Sequence, residues 1–434
     1  MSLTTALASG HRPGYTLYLR GGVYAGEFDS TLRGDNGLPM VIRPYPGERA
    51  IIDGALDING AFTTWIGLEI RYSGWVTRVS QEPGNVPSDL PRRDLNIYGV
   101  GTRLINCIIH DLSNFGWWGP ATDSELYGCL IYSNGWAGPD RGHGHGVYTQ
   151  NRPGGRKVWR DCITWGHYST CGKVYSASNA PLKHYDISGL ICGPSGDSRF
   201  LVGSDDGSTE DVTVSGVMTY GAAVNFSDAL LSSSIAFDQC YIVSDKDIPI
   251  VLSSWHNLTG LDNTIIGGNG DDPSYRVVAL AANRGAWQLD RNSYHYTGPN
   301  PRPFREEGIA DRTFAQWQQV TGLDAQSTYQ RGAPTANKVV VQPNEYDPNR
   351  FHVAVWNWEG LASIPAPLTG RYTNAQNTSE QITCTKGDPL PMHTWSTVAP
   401  IGASAPIAAH DPRFCCFIVE APAWHSNYLP QIAR

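Results

Sequence analysis

The sequence predicts an all-β solenoid followed by a β-rich C-terminal part. Two observations support this prediction: a short strand motif recurs along most of the chain, and a second set of short strands lies between its copies. The 434 residues include 47 glycines and 29 prolines, a composition that favours many turns and few helices. The chain is long for one compact core, so we expect one elongated domain or two domains.

The recurring motif is a small or polar residue followed by three mostly apolar residues. Its copies begin at residues 106, 128, 161, 189, 216, 239, 263 and 292, so neighbouring copies lie 22 to 33 residues apart. That spacing is typical of a solenoid with insertions in some turns. The second residues of these copies, up to the seventh, are Cys107, Cys129, Cys162, Leu190, Val217, Cys240 and Thr264. Because strand side chains alternate between two sides, we expect these residues to stack in one interior column.

A second set of short strands begins near residues 147, 174, 200, 224, 250 and 277. Each turn of the solenoid therefore contains at least two strands, separated by corners that are rich in glycine and asparagine. None of the nine cysteines forms a metal-type pair with two intervening residues, and several lie in apolar runs. We expect most of them to be buried free thiols rather than a disulfide framework.

These features resemble a right-handed parallel β-helix of the pectate-lyase-like superfamily. The resemblance covers roughly residues 15 to 297 and includes the opening 15–24, the segment 41–54 and the repeated corners. It implies an interior filled by stacked side chains, with any functional site on an outer face. The superfamily contains polysaccharide lyases, glycoside hydrolases, epimerases and noncatalytic adhesins, so the fold does not choose the activity.

The repeat is expected to end near residue 300, where Pro299, Pro301 and Pro303 interrupt regular structure. A short helical pattern follows, with Thr313 as its N-cap, and later segments alternate like strands. We therefore predict a β-helix at 1–300, a linker with a short helix at 301–330 and a C-terminal β-rich domain at 331–434.

Composition excludes several classes of function. The formal net charge of -8 gives no overall basic footprint for nucleic acid, so an anionic substrate would need a local cationic pocket. No apolar run approaches the roughly 18 residues of a membrane span, and the first twenty residues lack the apolar stretch of a signal peptide. We expect a secreted or extracellular protein whose signal peptide is not part of this sequence, with no membrane insertion.

The second set of strands supplies the predicted site. If Val147, Val174 and Phe200 all point inward, the residues before the last two, Lys173 and Arg199, fall in one outward column on neighbouring coils. Two cations about 4.8 Å apart repel each other by roughly 1–4 kcal/mol, which a bound anion would relieve. Pairing with nearby aspartates is the alternative.

A close lysine and arginine on a β-helix resemble the apparatus of polysaccharide lyases. β-Elimination from a uronic acid needs a cation that neutralises the carboxylate, a base that removes the adjacent C–H proton and an acid that protonates the leaving oxygen. We expect Lys173 or His145 to be the base and Arg199 to be the carboxylate clamp. Tyr175 would be the proton donor or a positioning group.

Residues 140–148 form the densest group of chemically active side chains. His143 and His145 have alternate spacing, so in an extended strand they point the same way. Either could act in catalysis near neutral pH, and with Asp140 they could bind a divalent ion. Alternation from Val147 places His145 on the inward side, which favours a structural corner as the alternative.

Asp205 and Asp206 follow the strand that begins at Arg199. With Asp140 they are candidates for calcium ligation, or for the acid pair of a glycoside hydrolase, and an Asp-Gly turn explains them equally well. In polygalacturonases a Gly-His-Gly motif follows an Asp-Asp motif, whereas here the segment 142–144 precedes it. This order argues against that family.

Aromatic residues cluster near the same coils and could stack against sugar rings, although corner packing is the alternative for most of them. The predicted substrate contacts are Tyr148, Trp117, Trp118, Trp136, Arg141 and Gln150. The leading hypothesis is a polysaccharide lyase that cleaves an acidic glycan. A glycoside hydrolase that uses aspartates on the same face, and a noncatalytic glycan-binding or surface-structural protein, are the alternatives. In each case the expected partner is a polysaccharide or oligosaccharide.

Overall fold

Each repeat of the sequence forms one coil of short strands, and successive coils pair in parallel. The computed structural model describes residues 1–8, 10–151, 154–176, 180–245, 247–268, 274–280, 284–306 and 308–422. The chain divides into one unit of Met1–Gly332 with Ala399–Ile407 and another of Ala333–Val398 with Ala408–Arg434. The first unit is a right-handed parallel β-helix, as predicted.

Three parallel ladders run along the first unit. Four strands are long enough to contribute to two ladders: Gly22–Ser30, Ala50–Ile58, Ala223–Asp238 and Ile250–Leu261. The other strands of the first ladder are Thr16–Leu19, Met40–Pro44, Thr63–Ile66, Arg103–Ile105, Glu125–Tyr127, Lys157–Arg160, Lys183–Ser188, Glu210–Ser215 and Ala286–Asp290.

The second ladder follows the first within each coil, and the third ladder completes the coil. The other strands of the second ladder are Glu69–Arg71, Ile108–His110, Leu130–Tyr132, Ile163–Trp165, Ile191–Cys192, Met218–Thr219, Tyr241–Ser244, Thr264–Gly267, Ser293–Tyr296 and Thr328–Arg331. The other strands of the third ladder are Leu95–Ile97, Phe115–Gly119, His145–Thr149, Gly172–Ser176, Arg199–Ser204, Val278–Leu280 and Phe304–Glu306.

A single residue in the left-handed conformation turns the chain from the first ladder to the second. These corner residues, with φ between 51° and 65°, are Gly67, Asn106, Gly128, Asp161, Gly189, Gly216, Gln239, Asp262 and Arg291. Glycine, asparagine and aspartate adopt this conformation most readily, which explains why the motif was visible in the sequence. The predicted corners at Asn263 and Asn292 are wrong by one residue, because Asp262 and Arg291 make those turns.

The residue after each corner points inward and hydrogen-bonds to the next coil. The Cys107 N–H donates to Cys129 Sγ at 3.3 Å, and the Cys129 N–H donates to Cys162 Sγ at 3.4 Å. In a later coil the Cys240 N–H donates to Asn263 Oδ1 at 2.9 Å. The predicted column is buried up to Cys240, but Asn263 rather than Thr264 continues it. All nine cysteines are free and buried.

Asn292→Ala should destabilise the β-helix through this inward column. Asn292 is 2% exposed, and its side chain accepts the Asn263 N–H at 3.0 Å and donates to Gly260 O at 3.1 Å. Alanine leaves a buried N–H and a buried C=O without these partners, at about 1–3 kcal/mol each. We expect the free energy of unfolding to fall by about 2–4 kcal/mol in a urea titration followed by circular dichroism.

Asn59→Ala is the matched control, because the Asn59 amide donates to Asp29 at the surface. Its loss should change the free energy of unfolding by less than about 0.5 kcal/mol. Equal effects of the two substitutions would show that the inward amide adds nothing beyond a surface hydrogen bond.

The β-helix continues beyond its predicted end at residue 300. Thr328–Arg331 pairs in parallel with Ser293–Tyr296, and Phe304–Glu306 pairs in parallel with Val278–Leu280. Within the predicted linker 301–330, the strand Phe304–Glu306 and the first residues of Thr328–Arg331 therefore extend the ladders of the solenoid.

Two helices belong to the same unit. Leu3–Ala8 lies near the start of the chain, and Phe314–Thr321 follows the strand Ala310–Arg312. Thr313 caps the second helix as predicted, by accepting the Gln316 N–H. No helix among the described residues is long and apolar enough to cross a membrane.

The second unit is β-rich, as the sequence predicted. Its antiparallel sheet has the strand order Lys338–Pro343, Arg350–Trp356, Phe414–Glu420, Gly370–Asn374 and Gln381–Cys384. A smaller pair joins Ser363–Pro365 to Pro389–Pro391. The last residues of the predicted domain, 423–434, lie outside the described residues.

Candidate functional site

One outward column of the third ladder lies along a groove. The strand register aligns five residues on successive coils: Asn96, Trp118, Tyr148, Lys173 and Leu201. All five line a cavity of about 440 Å³. Adjacent strands are about 4.8 Å apart, so the column spans roughly 19 Å, which is enough for several sugar residues.

Lys173 and Arg199 lie on this face but in different columns. Lys173 is level with Leu201, because Gly172 and not Val174 is the first inward residue of its coil. The predicted Lys–Arg column is therefore wrong by two residues. Both side chains nevertheless line the groove.

Lys173 holds its amine close to two tyrosine rings. Its Nζ is 5.5 Å from the centre of the Tyr148 ring and 4.6 Å from the centre of the Tyr175 ring. Lys173 makes no ion pair with any residue that the structure describes. Burial lowers the pKa of Lys173 below its ordinary 10.5, although the charge of Asp205 opposes this shift.

Arg199 is already neutralised. Its Nε lies 3.2 Å from Asp197 Oδ1 and 3.2 Å from Asp247 Oδ2. Arg141 is different: its Nη2 donates to Asn85 Oδ1 at 2.6 Å, and within the described ranges no carboxylate pairs with it. Arg141 is therefore better placed than Arg199 to receive an anionic group.

Both ring nitrogens of His143 face oxygen acceptors. Nδ1 is 3.1 Å from Asn85 Oδ1, and Nε2 is 2.9 Å from Asp140 Oδ1. Arg141 can only donate and uses the same Asn85 oxygen, so that atom is an acceptor. Both ring nitrogens of His143 are therefore within hydrogen-bond distance of a side-chain oxygen. The hydrogen bond from His143 lowers the pKa of Asp140 to about 2.

His145 reaches the groove, although strict alternation places it inward. Gly146 and Val147 are both buried, so the alternation is broken at this point. The ring lies parallel to Phe115, with centres 5.6 Å apart, and Nδ1 contacts Thr170. Burial lowers the pKa of His145 well below its ordinary 6.5, and the charge of Lys173 acts in the same direction.

Tyr175 and the two predicted aspartates do not line the cavity. The Tyr175 hydroxyl donates to Asp205 Oδ1 at 2.5 Å, and Ser176 Oγ donates to Asp206 Oδ1 at 3.1 Å. Among the described residues no group of three or more His, Cys, Asp or Glu side chains could hold a metal ion. The calcium site predicted from these aspartates and Asp140 stays a prediction.

Of the three predicted wall tryptophans, only Trp118 lines the groove. It is half-buried and packs edge-on against Tyr98, with ring centres 5.5 Å apart. Trp117 is 1% exposed and belongs to the interior core, whereas Trp136 is 2% exposed and stacks on His143. The prediction of these two as sugar contacts is wrong, since buried rings cannot reach a ligand.

Several groove residues were missed by the sequence reasoning. Asp94, Asn96 and Tyr98 come from the coil before Trp118, and Asn85 comes from the insert between two strands. Correct strand register would have identified Asn96, but the insert has no periodicity that could place Asn85. The predicted contact Gln150 hydrogen-bonds to Tyr148 beside the groove.

A buried arginine anchors the insert 73–94, which forms one side of the groove. Arg78 is 1% exposed; its Nη1 donates to Gly135 O at 2.7 Å, and its Nη2 donates to Asp111 Oδ1 at 2.5 Å. The guanidinium also lies 3.9 Å from the centre of the Trp75 ring. Burial lowers the pKa of Arg78 to about 10, against the opposing charge of Asp111.

No protein-family model matches the chain, and neither does any curated protein. Among solved structures the chain is similar to XylC in complex with xylose, with 9% identity, 82% of this chain and 86% of that chain covered, and a TM-score of 0.45. It is also similar to a mannuronic acid specific polysaccharide family 6 lyase from human gut microbiota, with 13% identity, 76% and 89% covered, and a TM-score of 0.43.

A third similar structure is a tailspike protein from Acinetobacter baumannii bacteriophage Fri1, a capsular polysaccharide depolymerase. It shares 9% identity, with 96% of this chain and 80% of that chain covered, and a TM-score of 0.38. At such low identity these likenesses do not assign an activity to the groove. The ladders and corners make the chain a right-handed parallel β-helix, and the comparisons single out no family.

Proposed function

We propose that the protein is a polysaccharide lyase that binds an acidic glycan in this groove and cleaves it by β-elimination. One observation supports the proposal most: among the described residues, the groove cations Lys173 and Arg141 have no carboxylate partner. Cations gathered in one groove repel each other, and an anionic ligand relieves that repulsion. The carboxylates of a uronate polymer supply such a charge at every acidic residue.

Lys173 is the proposed base. Its lowered pKa makes the neutral amine more abundant near neutral pH than it is in an ordinary lysine. Arg141 is the proposed carboxylate clamp in place of Arg199, whose charge Asp197 and Asp247 already neutralise.

Tyr148 is the proposed proton donor in place of Tyr175. Tyr148 lines the groove next to Lys173 in the same column, and burial raises its pKa above the ordinary 10, so it keeps its proton. The Tyr175 hydroxyl already donates its proton in a hydrogen bond to Asp205.

The reaction then balances within the groove. Lys173 takes the proton from the carbon next to the carboxylate, and that electron pair forms a carbon–carbon double bond. The bond from the next carbon to the glycosidic oxygen breaks, and this oxygen takes a proton from Tyr148. Water returns the proton from the lysine ammonium to the tyrosinate.

A panel of acidic and neutral polysaccharides tests the proposal. Elimination produces an unsaturated uronate, whose conjugated double bond absorbs in the ultraviolet, together with new reducing ends. Hydrolysis produces reducing ends without the absorbance, and a binding protein produces neither. The absence of the absorbance on every uronate polymer would overturn the lyase proposal.

Trp118→Ala should weaken glycan binding without abolishing it. The ring is half-buried in the groove beside the proposed catalytic column, and a pyranose can stack on its exposed part. We expect Kd for a uronate oligosaccharide to rise about 5- to 12-fold, equivalent to roughly 1–1.5 kcal/mol of stacking energy. Titration calorimetry gives Kd directly.

Tyr45→Ala is the control for this substitution, because Tyr45 is 47% exposed and does not line the groove. It should leave Kd unchanged. If Trp118→Ala also leaves Kd unchanged, the sugar does not lie on the Trp118 ring.

A glycoside hydrolase is the second candidate, and Asp94 favours it. This carboxyl lines the groove, and burial raises its pKa, as a general acid requires. The pKa values of the predicted acids Asp140 and Asp206 are lowered instead. Asp94→Asn separates the two candidates, because it should remove hydrolysis but spare the proton transfers of elimination.

A further inference from the structure

We infer that His145 is a fixed, neutral hydrogen-bond donor that presents its Nε2–H to the carboxylate of the bound acidic sugar. This assignment replaces the role of base that the sequence suggested for His145. It rests on the proposed function, since the ligand is the carboxylate of the residue from which Lys173 removes a proton.

The contacts of Thr170 determine which nitrogen of His145 bears hydrogen. The Thr170 main-chain N–H donates to His145 Nδ1 at 3.3 Å, and Thr170 Oγ1 lies 2.7 Å from the same nitrogen. A main-chain N–H can only donate, so Nδ1 must offer its lone pair. An imidazole has at least one N–H, and in His145 it is therefore on Nε2.

The Nε2 atom is available to a ligand. His145 lines the groove, and its Nε2 has no hydrogen bond to any of the residues described by the structure. The parallel Phe115 ring on one side and Tyr148, edge-on with ring centres 5.7 Å away, restrict rotation of the imidazole. The N–H direction is therefore set before a ligand arrives.

The surroundings of His145 also disfavour a second proton. A proton on Nδ1 would displace the Thr170 N–H. Burial is the largest cause of the lowered pKa of His145. Four neighbouring cationic or titratable side chains lower it further, namely Lys173, His167, Arg141 and His143. A ring with its lone pair already engaged and its proton on Nε2 cannot accept a proton from the sugar.

A neutral donor at this place suits elimination. As the proton leaves the sugar, negative charge grows on the two carboxylate oxygens, and a donor that is already oriented stabilises this charge without reorganisation. A neutral imidazole can stabilise an enolate-like oxygen in this way. His145 thus supplements Arg141 as a positioning group for the carboxylate.

Nuclear magnetic resonance tests the tautomer without any need for activity. Long-range ¹H–¹⁵N correlation of ¹⁵N-histidine protein reports hydrogen on each ring nitrogen, and the His145 signals are those absent from His145→Gln. We expect the neutral Nε2–H form throughout pH 5–8. A proton on Nδ1, or titration within that range, would overturn the inference whether or not the protein is a lyase.

Two substitutions test the donor. His145→Phe keeps an aromatic ring but has no N–H, whereas His145→Gln can place an amide N–H near the position of Nε2. For a lyase, we expect kcat to fall about 100-fold in His145→Phe, with a smaller change in KM, and at least ten-fold recovery in His145→Gln. The rise of kcat/KM with pH should occur at the same pH in His145→Gln as in the native protein, because it reports Lys173. Loss of this rise in His145→Gln would show that His145 is the base.

If the protein cleaves no glycan, the two variants His145→Phe and His145→Gln can be compared by their affinity for a glycan instead. Calorimetry with a uronate oligosaccharide should then show weaker binding by His145→Phe and near-native binding by His145→Gln. Equal affinities of the two variants would overturn the inference, and thermal melting by circular dichroism verifies that both are folded.

Discussion

Lys173→Met should abolish glycan cleavage while leaving much of the glycan binding intact. Methionine has a similar length but no amine, so the proton next to the carboxylate loses its base. Removal of a general base typically costs about 10²- to 10⁴-fold in rate. Binding should weaken less than about ten-fold, because Arg141 remains in the groove without a carboxylate partner among the described residues. The absorbance of the unsaturated product measures the rate, and calorimetry measures binding.

Lys183→Met is the matched control, because Lys183 pairs with Glu210 at 2.6 Å and does not line the groove. It should leave kcat unchanged. In the native protein kcat/KM should rise with pH, since only the neutral amine of Lys173 accepts a proton. The lowered pKa places that rise below the ordinary 10.5. A Lys173→Met variant with native kcat would assign the base elsewhere.

Arg78→Met should have the largest effect on stability. The guanidinium is 1% exposed, and it satisfies the Gly135 carbonyl and the buried carboxylate of Asp111. Methionine leaves that carboxylate with the His110 ring, whose Nδ1 is 2.7 Å away, as its remaining titratable partner. Removal of one member of a buried ion pair costs about 3–5 kcal/mol, so we expect a loss of at least about 3 kcal/mol in a urea titration of the β-helix.

Arg291→Met is the surface counterpart, because Arg291 and Asp262 pair with both side chains 45% exposed. Its loss should cost less than about 1 kcal/mol. Limited proteolysis supplies a second readout, since release of the insert 73–94 should expose new cleavage sites in Arg78→Met alone. Similar stability of the two variants would mean that Arg78 does not anchor the insert.

The solenoid could be predicted from the sequence because its corners impose a local requirement. A left-handed residue is needed at each turn between two ladders, and glycine, asparagine or aspartate supplies most of them. The prediction failed by one residue where Asp262 and Arg291 make the turn and the following asparagines point inward. Asparagine is common both at left-handed corners and at the inward position that follows a corner, so the local sequence pattern could not distinguish the two positions.

The groove column was harder to predict because its register depends on a residue without a side chain. Gly172 takes an inward position, where an added Cβ would lie 2.4 Å from Trp159 Cη2. The Trp159 ring fills the space that an apolar side chain would otherwise mark, so Val174 looked like the first inward residue. Contacts across coils, rather than any local pattern, determine this register.

The tryptophans illustrate a second limit. Trp117 and Trp118 are neighbours in the sequence, yet the first lies in the interior and the second lines the groove. Strand alternation guarantees that two adjacent residues differ in this way, but it does not say which of them is inside. The insert that contributes Asn85 adds a part of the site whose position follows from long-range contacts, those of Arg78 with Gly135 and of Asn85 with His143.

The buried thiols can report local unfolding of the β-helix. Cys107, Cys129 and Cys162 sit beneath three consecutive turns, each sealed from water. A maleimide dye should therefore leave these thiols unlabelled in the native state. It should label a given thiol only when the coil that contains it unfolds locally. Mass spectrometry of the labelled peptides would then show which coil of the β-helix unfolds first.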